Sequence, residues 1–454
     1  MASQSEKQGS TVYVAMISVV AALGGLLFGY DTAVISGAIG FMKTHFDLDA
    51  IQTGWAVSCV LLGCIFGAGS AGALSDWMGR KKVLMLSAVL FTFSAIGAAI
   101  PHSLTQFIIA RLIGGFGIGT ASIVSPLYIS EISPARMRGR LVAVNQLAIV
   151  SGMLVVYFVN SLIAQVSTEA WNQSTGWRWM FACGTLPAII FWALVFTVPE
   201  SPRWLSKRGK NHEAFSILSR VGGEAHAQSE LKEIEESLAQ EQGTIWELFK
   251  PGIRAALILG VVMAILQQIT GINAVIYYAP EIFKSAGMRS TAAINATVFV
   301  GIINLVFTVV SMWLVDRVGR KPILVFTAAG MGVSLFLLGG AFHYGMTQGP
   351  WVLLFVLCYI GAFAVAMGPV VWVVIAEIYP TKIRGSAMGI ATVVLWISDF
   401  MVSEFFPYML EKLHGEVFFV YAVICVVAFI VFWAFVPETK GKTLEEIEKM
   451  WEGR

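Results

Sequence analysis

The sequence predicts an all-α membrane protein whose twelve transmembrane helices form two six-helix repeats, and three observations predict it. Hydrophobic residues make up 57% of the 454 and charged residues only 13%, about half the charge of an ordinary soluble domain. Apolar runs of about 20 residues, the length at which a helix crosses a bilayer, recur along the whole chain. Motifs from the first part of the chain also return in the second at nearly constant spacing.

The first ten residues are polar and carry no cleavable signal, so the first apolar run reads as a retained anchor. The runs are Thr11–Phe41, Gln52–Ser75, Val83–Ile100, Leu104–Ser130, Leu141–Gln165 and Trp177–Val198. After a polar interval follow Ala255–Phe283, Thr291–Val315, Pro322–Phe342, Trp351–Glu377, Ser386–Tyr408 and Val417–Phe435. Glycines and other small residues in many of them let helix backbones approach closely. The interval Pro199–Arg254 is rich in charge, and Leu231, Ile234 and Leu238 repeat at helical spacing within Ala227–Gln240. It reads as one or two short amphipathic helices lying on the cytoplasmic face, too short to bury a core of its own. The expected division is therefore 1–198 and 255–436 for the two six-helix halves, 199–254 for the linker and 437–454 for a cytoplasmic tail.

Basic residues set the orientation. Of 30 Lys and Arg, five (Lys43, Arg178, Lys284, Arg289, Lys412) face one side, Arg111 is intramembrane, and the rest face the other. By the positive-inside rule both termini are cytoplasmic, in a multi-pass protein of the cell membrane. The net charge of +2 and scattered basic residues exclude a nucleic-acid partner. The five cysteines lie in apolar runs without paired spacing, which reads as packing, not disulfide or metal chemistry. No intramembrane metal cluster or nucleophile–base pair appears, so the chain is not an enzyme and needs no cofactor.

The repeat is explicit. Asp76-Trp-Met-Gly79-Arg80-Lys81 returns 240 residues later as Asp316-Arg-Val-Gly319-Arg320-Lys321. Glu131-Ile-Ser-Pro134 with Arg138 returns 246 later as Glu377-Ile-Tyr-Pro380 with Arg384, and Pro199-Glu200 returns 238 later as Pro437-Glu438. Each landmark falls between the same ordinal helices of its half. Repeats of this kind place a substrate near the midplane, between halves that rock. The acids and arginines (Asp76, Arg80, Glu131, Arg138 and Glu200; Asp316, Arg320, Glu377, Arg384 and Glu438) are expected to pair at the cytoplasmic rim. There they would hold the halves together and break when that side opens.

Two charges lie deeper. Asp31 and Arg111 each sit inside a spanning run, where a charge costs about 2.5–3.5 kcal/mol. Burial disfavours a charged carboxyl and a nearby guanidinium favours it. An arginine that approaches and withdraws as the halves rock would therefore make Asp31 release and take up a proton.

With Gly29-Tyr30-Asp31, the two Gly-Arg-Lys turns, Pro199-Glu200-Ser201-Pro202-Arg203-Trp204-Leu205, Gln267-Gln268-Ile-Thr-Gly271-Ile-Asn273, Gly368-Pro369-Val-Val-Trp372 and Pro437-Glu438-Thr439-Lys440-Gly441, the chain resembles the sugar porters of the major facilitator superfamily over nearly its whole length. That family holds sugar–proton symporters and facilitative glucose transporters. Its proton-coupled members carry an acid at the place of Asp31, and facilitative members commonly carry asparagine.

Sugars offer hydroxyls that both donate and accept, and amides answer in kind. Gln267, Gln268, Asn273 and Tyr277 surround Gly271, where a helix break would bring them to one cavity. Gln146 and Asn304 add intramembrane amides, and Trp372 follows a Gly-Pro break that can turn its ring into the pathway. The resemblance implies that these positions contact the sugar. Asp399 stands where relatives usually have asparagine, and three roles are open to it: a sugar hydroxyl contact, proton entry, or a watery external vestibule. Glu404 lies five residues further, about 140° away on a helix. Gly184 occupies a place where some coupled relatives carry an acid, which leaves coupling to Asp31. The expectation is a monosaccharide–proton symporter, hexose or pentose, working as a monomer by alternating access in a lipid bilayer. The alternatives are a facilitative sugar or inositol uniporter, and, from another class, a sugar sensor on a transporter scaffold.

Overall fold

The computed structural model describes residues 10–240, 248–250, 253–379, 383–442, 446–447 and 451. Pro380 and the polar residues 1–9, used in the sequence reading, lie outside them. Local signals start and stop the helices. In α1 (Thr11–Phe46), Ser10 caps the first turn by accepting from the Tyr13 amide at 3.2 Å, as a serine N-cap does. Its C-terminus runs past the expected Phe41 because Asp47 supplies the left-handed stop, φ 52°. A capping box of Asp49 and Gln52 starts α2 (Ala50–Met78). Gly79, at φ 93°, turns α2 into α3 (Arg80–Ala99), and Gly319, at φ 107°, makes the same turn in the second half; a side chain there would be strained.

The first half continues with α4 (Leu104–Ile132) and α5 (Ala135–Val166). Its sixth span is not the single helix expected from Trp177. It is built from α6 (Glu169–Trp171), a π-turn at Asn172–Gly176, α7 (Trp177–Ala182) and α8 (Thr185–Val195). Among the described residues the linker holds three α-helices, more than the one or two expected: α9 (Pro202–Lys207), α10 (Asn211–Gly222) and α11 (Glu224–Gln240). Leu218, Ala227 and Ile234 form a small core of their own, with Phe215, Leu231 and Leu238 against it. Bonds from Trp204 Nε1 to the Asp76 carbonyl (2.9 Å) and from Lys207 to the Asp76 carboxylate (2.8 Å) fasten the linker to the first half.

The second half comprises α12 (Ile253–Ile269), α13 (Ile272–Ser285), α14 (Ser290–Val318), α15 (Arg320–His343), α16 (Trp351–Val365), α17 (Pro369–Ile378), α18 (Arg384–Leu413) and α19 (Val417–Phe435). Eleven helical stretches among the described residues are long and apolar enough to cross a membrane. The last, Arg384–Phe435, contains both α18 and α19, joined by a 3₁₀ turn at His414–Glu416; counted separately, they bring the crossings to twelve.

Several hydrogen bonds join the halves from mid-depth to the end opposite the termini. Ser58 of α2 donates to Glu404 of α18 at 2.5 Å, Tyr157 of α5 donates to the Ile276 carbonyl at 3.3 Å, and Ser161 of α5 donates to Asn295 of α14 at 2.7 Å. These bonds tie the two halves together at that end.

Candidate functional site

Asp31 and Arg111 meet. The Arg111 Nη1 donates to Asp31 Oδ2 at 2.7 Å and Nη2 donates to the Asp31 carbonyl at 3.0 Å. Arg111 is fully buried, whereas Asp31 keeps 8% of its surface exposed. The guanidinium also lies 5.5 Å from the Phe181 ring centre, a cation–π distance. One carboxylate oxygen is thus held by the arginine on α4, and the other is not.

The amide cluster forms at the α12–α13 break. Gly271, at φ 91°, separates the two helices, and a Cβ there would press on the Tyr421 ring at about 2.9 Å. Gln267 Nε2 donates to the carbonyls of Met367 (2.5 Å) and Gly368 (3.1 Å). These carbonyls lie where the tenth span breaks between α16 and α17, so the side chain satisfies backbone that the break frees. Its Oε1 is buried without a partner. Asn273 Nδ2 donates to Gln268 Oε1 at 2.9 Å. Asp399 is fully buried on α18; Ser403 Oγ donates to its Oδ1 at 3.0 Å and the Tyr277 hydroxyl to its Oδ2 at 3.4 Å. Gln267, Gln268, Asn273, Tyr277 and Asp399 therefore share one region.

The remaining candidates make no hydrogen bond to that cluster among the described residues. Asn304 on α14 reaches across to the Met153 sulfur on α5 at 3.6 Å. Gln146 lies on α5 and is half-buried; Trp372, on α17, is half-buried as well. Trp396 was missed. Its ring packs 5.5 Å from Phe28 across the two halves, and its indole N–H is buried with no hydrogen-bond partner among the described residues. The signal was present in its spacing, three residues before Asp399 and so on the same helix face.

The rim charges pair differently from the expectation. Arg80 binds Glu131 through Nε and Nη2, both at 2.9 Å, and Asp76 at 3.0 Å. Arg320 repeats this with Glu377 at 3.1 Å and Asp316 at 3.5 Å. Both sets join helices of one half, so in this conformer they stiffen each half instead of tying the two together. Glu200 accepts the backbone amides of Arg80 (2.9 Å), Lys81 (3.1 Å) and Ser201 (2.8 Å). Glu438 accepts those of Arg320 (3.1 Å), Lys321 (3.1 Å) and Lys440 (2.8 Å). These two acids cap the N-termini of α3 and α15, where backbone N–H groups favour an anion. Burial pushes the Glu200 carboxyl above its usual range against the pull of those amides. Arg138 reaches Glu230 of the linker at 3.2 Å, and Arg384 donates to the Tyr379 carbonyl at 3.4 Å through Nε.

The two rim networks differ in burial. The Arg80 and Glu131 side chains are 7% and 5% exposed, those of Arg320 and Glu377 14% and 25%. Glu131→Gln removes the buried carboxylate from Arg80, leaving it only the half-exposed Asp76 carboxylate among those it binds here, and should lower stability by on the order of 3 kcal/mol, with a smaller loss for Glu377→Gln. Thermal unfolding of the two variants in detergent measures this, and equal losses would show that burial does not rank them.

The family model described as "Sugar (and other) transporter" matches residues 17–451. The chain is a member of the sugar transporter family. It is 44% identical to the arabinose-proton symporter of Bacillus subtilis, over 97% of this chain and 95% of that one. It is 42% identical to the D-xylose-proton symporter of Escherichia coli, over 98% and 97%. Among solved structures, the E. coli xylose transporter in a partially occluded inward-open conformation superposes with a TM-score of 0.87 at 41% identity, covering 95% of this chain and all of that one. The fold is that of the major facilitator superfamily, and the chain is a multi-pass membrane transporter, not an enzyme.

Proposed function

We propose that the chain carries a monosaccharide, most fittingly an aldopentose, into the cell together with a proton by alternating access. The observation that carries this reading is the Asp31–Arg111 pair, an acid inside the membrane with one oxygen on a buried arginine. The names of the relatives, an arabinose-proton and a xylose-proton symporter, support both the pentose and the proton. Gln146, Gln267, Gln268, Asn273, Tyr277, Asn304 and Trp372 take the sugar. Asp399, held among Asn273, Tyr277 and Ser403, belongs to the sugar side of the cavity and accepts a hydroxyl. Residues 1–198 and 255–436 are the bodies that rock, with 199–254 travelling with the first. Both termini face the cytoplasm, which makes the end where Ser58 meets Glu404 the outer one, and the monomer is the working unit.

The test is direct. In a weakly buffered suspension of proteoliposomes, adding arabinose or xylose should alkalinise the medium, and uptake without any pH change would end the symport reading. Counterflow with labelled pentoses, hexoses and inositol ranks the substrates. Trp372→Ala should cut uptake several-fold by removing an apolar plane for the sugar's C–H face, and normal uptake in that variant would remove it from the site.

A further inference from the structure

Asp31 borders a cavity that does not belong to the path between the halves. Its walls include Tyr30, Asp31 and Val34 of α1, Phe91 of α3, Phe181 of α7 and Gly184 after it. Every lining residue comes from the first half, whereas the amide cluster lies in the second. Arg111 holds Oδ2, and Oδ1 has no protein donor among the described residues. The space is about right for one water molecule, which needs two or more polar partners. Asp31 supplies one and the Tyr30 hydroxyl, bonded only at 3.4 Å to the Met180 carbonyl, supplies another. The titratable groups near the carboxyl are Arg111 of α4, Tyr30 of α1 and Cys64 of α2; Cys183, next to Gly184, faces Tyr30.

We propose that this cavity holds the water through which Asp31 exchanges its proton, so that proton and sugar reach the carrier by separate routes. The water relays the proton: it takes one from bulk water as hydronium, whose O–H bond breaks as the bond to Asp31 Oδ1 forms, leaving neutral water behind. Release runs the same step in reverse. The sugar crosses between the halves, on the far side of the Asp31–Arg111 pair. This inference rests on the symport reading above.

Filling the cavity tests it. In Ala95→Leu the added methyl groups enter the space beside Phe91, and in Gly184→Ala the new Cβ sits 3.1 Å from the Tyr30 ring. Sugar-driven proton uptake should slow about tenfold in both while sugar counterflow, which needs no net proton movement, changes less than twofold. Proton uptake that tracks counterflow in both variants would overturn the proposal. Should a variant fold poorly, hydroxyl-radical footprinting of the unmodified protein reads the water itself. Oxidation of Phe91 and Phe181 that persists with saturating xylose is expected, and their complete protection in both conditions would overturn the proposal. Failure of the unmodified protein to move protons at all would instead sink the symport reading.

Discussion

Replacing Asp31 with asparagine should abolish uphill accumulation of sugar while leaving sugar-for-sugar exchange in place. An asparagine keeps an oxygen where Arg111 Nη1 now finds Oδ2 at 2.7 Å, and the bond from Nη2 to the backbone carbonyl at 3.0 Å is untouched. The geometry survives, but the group no longer binds and releases a proton. The driving force is worth about 2.3 kcal/mol per 100 mV for one charge and about 1.36 kcal/mol per pH unit. In the unmodified protein that supports accumulation of tens to hundreds of fold, and in the variant the ratio should fall to one. The charge of Arg111, fully buried, is then uncompensated, which costs stability. Counterflow in the same vesicles therefore serves as the control for folding. Accumulation above equilibrium in Asp31→Asn, with counterflow intact, would remove Asp31 from coupling.

The pair at Asp31 and Arg111 was legible because a charge inside an apolar run has few explanations. Duplication was legible from Asp76 and Asp316, and the break at Gly271 from a glycine among amides. These signals are local, or local and repeated. What stayed hidden depends on the chain closing over long distances. Glu200 caps α3 from 120 residues away, and nothing in its surrounding sequence says that it will meet Arg80's amide and not its guanidinium. The same holds for Glu438. The rim arginines were correctly placed at helix ends, yet which half each acid would serve is a matter of packing. Linker helices α10 and α11 were underestimated because their apolar residues look like one amphipathic stripe until Leu218 and Ile234 are seen to bury each other. Trp396 was passed over because a tryptophan in a spanning run reads as packing, and only its unpartnered N–H marks it as a donor.

Gln268→Ala should raise the dissociation constant for sugar tenfold or more without lowering thermal stability, whereas Gln267→Ala should lower thermal stability as well as weaken binding. The two neighbours differ in what their amides already hold. Gln267 spends its N–H groups on the Met367 and Gly368 carbonyls, so truncation leaves buried backbone acceptors unmade, a cost of about 1–3 kcal/mol each. That loss falls on the fold. Gln268 accepts from Asn273, and its own N–H groups make no hydrogen bond to the protein among the described residues, leaving both donors to a ligand. Losing one hydroxyl contact at about 1.4 kcal/mol is a factor of ten in affinity, and the freed Asn273 loses its orientation as well. Sugar binding by calorimetry and unfolding by heat separate the two outcomes. A Gln268→Ala variant that binds sugar as tightly as the parent would return this amide to helix packing, and the proposed site would then have to be rebuilt around Gln146, Asn304 and Trp396.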